Sequence, residues 1–176
     1  MPLRDEVKVK LCLVGEGGVG KTSLIRRFIY QEFDDRYVTT IGAKVSKKEI
    51  VVREGDGRWV DVSLAVWDIM GQSSLRELLK EAYFTGARGA LGVCDVTRRD
   101  TLEELHEWVG AIHRVTGDIP IHILANKVDL AERIDFEESD LAEVAASYKA
   151  PYGYTSAKSG ENVPEAFQKL AEMIVR

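Results

Sequence analysis

The sequence predicts an α/β fold: one three-layer domain with a mostly parallel, six-stranded sheet and helices on both faces. Three observations carry this expectation. Strand-like and helix-like segments alternate along the chain. A glycine-rich loop, Gly15-Glu16-Gly17-Gly18-Val19-Gly20-Lys21-Thr22, falls between the first strand-like run and the first helical stripe. The 176 residues, 45% of them hydrophobic, suffice for one core and one domain over 1–176.

The elements follow in order. Val7–Val14 alternates and then turns wholly apolar, as a central strand does. Leu24, Ile25, Phe28 and Ile29 recur at helical spacing. Ala43–Arg53 and Trp59–Ile69 read as strands joined by a tight hairpin turn at Asp56-Gly57. Leu75–Tyr83 reads as a short helix and Ala90–Val96 as a buried strand. Asp100 and Glu103 have capping-box spacing, ahead of a single stripe of Leu102, Leu105, Val109 and Ile112. Ile119–Ala125 is a strand, Leu141, Val144, Ala145 and Tyr148 mark a helix, and Pro151–Thr155 is a short strand. The last helix opens on Pro164 with the stripe Val163, Ala166, Phe167, Leu170, Met173 and Ile174. In such sheets ligands sit at the carboxyl ends of the strands.

Composition narrows the function. A net charge of −5 argues against a nucleic-acid binder. The charged start MPLRDEVKVK is not a signal peptide, and Pro2 excludes N-myristoylation. No apolar run approaches the ~18 residues of a membrane span. No cysteine follows Cys94, so this sequence carries no site for C-terminal prenylation. A cytoplasmic protein is expected, with any peripheral membrane association not encoded in this chain. Cys12 and Cys94 sit in apolar runs, as buried thiols do, and His106, His113 and His122 lack ligand spacing.

The chemistry starts at the loop. Gly15 to Thr22 matches G-x4-G-K-[ST] in its strand–loop–helix setting. Glycines let the backbone wrap phosphate oxygens, and successive N–H groups form an anion nest at the positive end of the helix. Lys21 is placed to reach terminal phosphates, and the Thr22 hydroxyl to ligate Mg²⁺. The loop implies a nucleoside triphosphate without naming the base. Asn126-Lys127-Val128-Asp129 and Thr155-Ser156-Ala157-Lys158 each follow an apolar strand, at the ligand-binding end of the sheet.

Together GEGGVGKT, TTIG, WDIMGQ, NKVD and TSAK resemble the Ras superfamily of small GTPases, over about Val7 to Ile174. The stretch Val93-Cys94-Asp95-Val96-Thr97-Arg98-Arg99-Asp100-Thr101, with TTIG, looks most like the Rab branch. The resemblance implies a P-loop G domain that binds GTP and GDP, and it assigns roles. Gly15, Gly17, Gly18, Val19, Gly20, Lys21, Thr22 and Ser23 would hold the phosphates. Phe33 and the Lys127 stem would sandwich the base, and Tyr37 would also belong to the nucleotide site. Asp129 would select guanine: an ionised carboxylate only accepts, and guanine offers paired N–H donors where adenine does not. Ser156, Ala157 and Lys158 complete the base site, with the Ala157 N–H on the guanine oxygen. Asn126 would tie the base loop to the phosphate loop.

The same resemblance makes Thr22, Thr40 and Asp68 the side chains toward Mg²⁺. It makes Lys21, Thr40, Gly71 and Gln72 the hydrolytic set. The Gly71 N–H would meet the γ-phosphate, and Gln72 would orient the attacking water. Effectors, exchange factors and GTPase-activating proteins would read the two switch loops. A P-loop kinase or ATPase is the alternative enzyme class, and a constitutive GTP-binding module the non-enzymatic one. Departures from the Rab pattern are Met70 and Ser73 around Gly71-Gln72, Val45 in place of the first aromatic of the effector surface, and extra length around Glu54–Arg58. Trp67 matches the second aromatic, and the third falls on Ala82 or Tyr83. No arginine is evident to act in cis, Arg36 being the nearest candidate.

Overall fold

The computed structural model describes residues 5–36, 40 and 42–176. Its strands are β1 (Glu6–Val14), β2 (Ala43–Arg53), β3 (Trp59–Ile69), β4 (Gly89–Asp95), β5 (Ile121–Asn126) and β6 (Tyr152–Thr155). Its helices are α1 (Lys21–Tyr30), α2 (Ser73–Phe84), α3 (Arg99–Glu103), α4 (Leu105–Thr116), α5 (Glu138–Ala146) and α6 (Val163–Val175). A 3-10 segment covers Val128–Arg133. The six strands form one sheet in the order β2-β3-β1-β4-β5-β6. β2 runs antiparallel to β3, and every other neighbouring pair is parallel.

The strand period of two distributes the core. Leu11 and Leu13 of β1 enter the cluster with Leu24 and Phe28 of α1 and Phe167 and Leu170 of α6. Their neighbours Cys12 and Val14 enter the opposite cluster, with Trp108 and Ile112 of α4 and Leu141 of α5. β4 and β5 are buried along their whole lengths, as strands covered on both faces must be. Phe28 stacks on Phe167 with ring centroids 4.0 Å apart, which locks α1 to α6. Cys12 and Cys94 are free and buried, and burial pushes both thiols up to about 12. His122 is buried with Nδ1 3.3 Å from the Ala166 carbonyl. Among the described residues no helix is long and apolar enough to cross a membrane.

The tight hairpin turn forms as expected: Glu54 N–H donates to Arg58 O at 2.8 Å, Gly57 N–H donates to Glu54 O at 2.9 Å, and Gly57 takes the positive φ of +90°. Two local expectations change. The stripe Leu102, Leu105, Val109 and Ile112 is fully buried, but its helix divides at Glu104 into α3 and α4. The capping box of Asp100 and Glu103 does not form, since α3 starts one residue after Arg98 with no side-chain cap from that position. The free first-turn donor, Arg99 N–H, bonds instead to Asp135 Oδ2 at 2.9 Å, from the loop before α5. The reciprocal pattern occurs at α5, where Glu137 N–H donates to Asp140 Oδ2 at 2.9 Å.

Candidate functional site

Around the carboxyl ends of β1, β3, β5 and β6 lies a cleft of about 480 Å³. Its wall includes Gly17, Gly18, Gly20, Lys21, Thr22, Ser23, Phe33, Thr40, Gly71, Gln72, Asn126, Lys127, Asp129, Ala157 and Lys158. Gly15, Val19, Asp68 and Ser156 stand behind that wall, all buried. Tyr37 lies outside the described residues. Residues up to 141 positions apart in the chain (Gly17 and Lys158) thus share one cleft.

The glycine-rich loop is held by its carbonyls. Lys21 Nζ donates to Gly15 O at 2.7 Å and to Glu16 O at 2.9 Å, which uses two of its three protons. Burial pulls its ammonium down to about 8; Asp68 and Glu16 oppose that shift and the Arg98 charge adds to it. Gly17 O accepts from Arg98 Nη1 at 3.0 Å, and Gly18 O from Lys127 Nζ at 2.6 Å. Val19 O accepts from Asn126 Nδ2 at 3.0 Å. Gly20 has φ +103°, and a Cβ there would stand 2.3 Å from Asn126 Nδ2, so only glycine lets the loop pass this close.

Asn126 is the hub. Its Oδ1 also accepts from Thr155 Oγ1 at 3.0 Å and from Ala157 N–H at 3.3 Å. The loop after β6 is therefore tied through one buried amide to the loop after β1. Asp129 Oδ1 accepts from Ser156 Oγ at 2.7 Å, which orients the carboxylate and leaves its other oxygen for a ligand. Lys127, in the left-handed region at φ +73°, also pairs with Asp95 Oδ2 at 2.9 Å. From α1, Arg27 Nε donates to Ala157 O at 2.7 Å and Nη2 to Lys158 O.

A second cluster lies beneath Lys21. Thr22 Oγ1 bonds to Asp68 Oδ2 and sits 2.9 Å from Thr40 Oγ1, which is 3.5 Å from the same carboxylate oxygen. Asp68 Oδ1 is buried without a hydrogen-bond partner. Burial raises the Asp68 carboxyl above its ordinary range, against the bond from Thr22, the Lys21 charge and the bond from Thr40. An orphaned carboxylate oxygen beside two hydroxyls suits a hard divalent cation. One carboxylate and two hydroxyls are too few for an all-protein cage, which fits Mg²⁺ shared with substrate phosphates.

Gly71 packs backbone to backbone on the loop. A Cβ there would lie 2.5 Å from Gly17 N and 2.7 Å from the Glu16 carbonyl carbon. In this structure the direct contact is Gly17 N–H donating to Gly71 O at 3.0 Å, so Gly71 meets the loop through its carbonyl. Gln72 is exposed at the cleft edge, one residue before α2. Arg36 is exposed and engaged with Asp34, whose carboxyl its hydrogen bonds hold at about 2.

Sequence reasoning missed Arg27, Arg98 and the Glu16 carboxylate, which accepts from Trp108 Nε1 at 3.0 Å. For Arg98 a signal existed: it follows β4, at the same carboxyl edge as the recognised motifs. Arg27 and Glu16 carry no local mark that separates them from solvated charges. On the surface, Val45 pairs across the ladder with Trp67. Tyr83 packs on the same core cluster as Trp67, while Ala82 is exposed.

Comparison with known proteins agrees with this geometry. A family model described as "Ras family" matches residues 10–176. Ras-related protein Rab-21 of Geodia cydonium is 36% identical over 96% of this chain and 72% of its own. GTP-binding nuclear protein GSP1 of Encephalitozoon cuniculi is 34% identical over 97% of this chain and 78% of its own. Ras-related protein Rab-27A of Rattus norvegicus is 30% identical, covering 96% and 79%. With the phosphate loop, the base motifs and the sheet order on the same chain, it belongs to the Ras family of small GTPases, on a P-loop G-domain fold.

Proposed function

We propose that this chain is a GTP-binding molecular switch that hydrolyses GTP to GDP and phosphate, Rab-like, and engaged in membrane trafficking or cell organisation. The observation that carries the reading is the single cleft in which the glycine-rich loop, Asn126 to Asp129 and Ser156 to Lys158 converge.

In this reading the loop N–H groups and Lys21 bind the phosphates. Phe33 and the Lys127 stem flank the base, and Tyr37 is assigned to nucleotide binding. Asp129, fixed by Ser156, accepts from guanine, and the Ala157 N–H donates to its oxygen. Thr22, Thr40 and Asp68 would hold Mg²⁺, which when bound neutralises charge on the phosphate oxygens. Gln72 orients a water against the γ-phosphorus while Gly71 and Thr40 sense that phosphate. The water oxygen bonds to phosphorus, one of its protons passes to a phosphate oxygen, the bond to the bridging oxygen breaks, and the electron pair leaves with GDP. Loss of phosphate frees the contacts of Thr40 and Gly71, and the two loops change their order. Effectors, exchange factors and GTPase-activating proteins read that change on the surface around Val45, Trp67 and Tyr83. Turnover is slow without an activating protein, consistent with Arg36 being held by Asp34. A cytoplasmic location fits this role.

The test is binding and single-turnover hydrolysis by purified, nucleotide-stripped protein with GTP and ATP in parallel. Tight GTP and GDP binding, weak ATP binding and slow phosphate release are expected. Equal affinity for ATP, or GTP bound without any phosphate release, would overturn the proposal.

A further inference from the structure

We propose that Arg98 is a positioning residue for GTP hydrolysis, acting through the peptide between Gly17 and Gly18; this rests on the hydrolytic reading above. The observation is a row of three carbonyls. Gly17 O, Gly18 O and Val19 O are each held by one side chain from a strand's carboxyl end: Arg98 after β4, Lys127 after β5, and Asn126 at the end of β5. The last two belong to the recognised base motif, and Arg98 extends the row by one peptide toward Gly71.

No peptide bond in the described chain is cis. In a trans peptide the carbonyl and the N–H point in opposite directions. Turning Gly17 O outward onto Arg98 therefore aims the Gly18 N–H the other way, and Gly18 lines the cleft. A charge-assisted bond to the carbonyl polarises the whole amide, strengthening its N–H by something like 10–30%. That N–H faces phosphate oxygens on which negative charge grows as the diphosphate departs, so the gain is larger in the transition state than in the ground state.

Arg98 is built to stay there. Its N–H donates to Asp95 O at 3.0 Å, and its carbonyl accepts from Thr101 Oγ1 at 2.7 Å. The acidic neighbour is a weaker claimant: Nη2 is 3.8 Å from Asp100 Oδ2, against 3.0 Å from Nη1 to the Gly17 carbonyl. The Arg98 side chain is 39% exposed, where an ion pair at that distance contributes little. Arg36 offers no such contact, its guanidinium being spent on Asp34.

The experiment measures GDP affinity and single-turnover GTP hydrolysis for wild type, Arg98→Lys, Arg98→Gln and Arg98→Met in the full chain. Lysine keeps the charge, glutamine keeps an N–H donor without charge, and methionine keeps neither. Hydrolysis is expected to fall about tenfold in Arg98→Met, less than the 10²–10³ lost when a donor touching the developing charge is removed. Arg98→Gln should fall nearly as far, and Arg98→Lys should recover at least half the wild-type rate. GDP affinity should stay within threefold throughout. Unchanged hydrolysis in both Arg98→Met and Arg98→Gln would overturn the proposal alone. So would rate and GDP affinity falling in parallel, because that pattern belongs to a merely loosened loop. Wild-type protein that binds GTP without turning it over would overturn the hydrolytic reading, and this proposal with it.

Discussion

Replacing Asn126 with alanine tests whether one buried amide joins the two halves of the site. The side chain is 1% exposed and makes three hydrogen bonds: Nδ2 to Val19 O, and Oδ1 from Thr155 Oγ1 and from Ala157 N–H. Each is worth about 1 kcal/mol net, and the partners left behind are themselves buried or in a tight loop, so a loss of about 3 kcal/mol is expected. For a chain of 176 residues each kcal/mol moves the melting midpoint by roughly 2–4 °C, which gives a fall of roughly 6–12 °C. The measurement is thermal unfolding of nucleotide-stripped protein, because bound nucleotide would add its own concentration-dependent stabilisation. GDP affinity should fall as well, since the base loop and the phosphate loop lose their common support. Asn126→Asp is the sharper control: it keeps both acceptor bonds but turns an oxygen toward the Val19 carbonyl, and it should be no better than alanine. A midpoint within about 2 °C of wild type for Asn126→Ala would refute the idea that this amide holds the loops together.

Asp129→Asn replaces an acceptor oxygen with a donor, so affinity should shift from guanine to xanthine nucleotides by at least tenfold; unchanged GTP affinity in competition binding would remove Asp129 from base selection. Thr22→Asn disturbs the hydroxyl beside Asp68, and it should weaken GTP more than GDP; chelating divalent cations should speed nucleotide release from wild type severalfold, and release insensitive to chelation would contradict the Mg²⁺ assignment. His122 is held below its ordinary pKa by burial, so the unfolded chain binds its proton first. Stability present above about pH 6.5 is then lost as pH falls through the folded value. His122→Leu should flatten that part of the profile in melts between pH 5 and 8, and an unaltered profile would show that another group carries it.

Much of the architecture was readable because it is written in short-range periods. The strands Ala43–Arg53 and Trp59–Ile69 match their expected ends, and in Trp59–Ile69 the steady alternation of buried and half-exposed residues leaves little room for another register. The motif residues were readable for a similar reason: loops at strand ends carry unusual residue types at fixed spacing. What was not readable depends on distant partners. Asp100 and Glu103 have the spacing of a cap, but the helix already starts at Arg99, whose N–H is held by Asp135, 36 positions away, so Asp100 lies inside the first turn and not at its cap. Arg98 and Arg27 look like solvated charges in pairs of arginines, and their work consists of bonds to backbone carbonyls that no side-chain pattern marks. The contact of Gly71 through its carbonyl is a conformational choice of two loops, which spacing does not encode.

The β2–β3 hairpin has an open end and a closed end, and they answer to different constraints. At the open end Ala43 pairs with Ile69 and Met70 N–H donates to Gly42 O at 3.0 Å, with Asp68 one pair inside the mouth, opposite Lys44. At the closed end, ten pairs away, Arg53 faces Trp59 across the turn. Residues added at that far tip in matched numbers, one to each strand, lengthen the ladder without altering which residues face each other at its mouth. A single unmatched residue between the turn and the mouth would turn the Asp68 side chain to the opposite face of the sheet unless a bulge absorbed it. Paired additions at the tip therefore leave the mouth, and with it the separation of Thr40 and Asp68, unchanged.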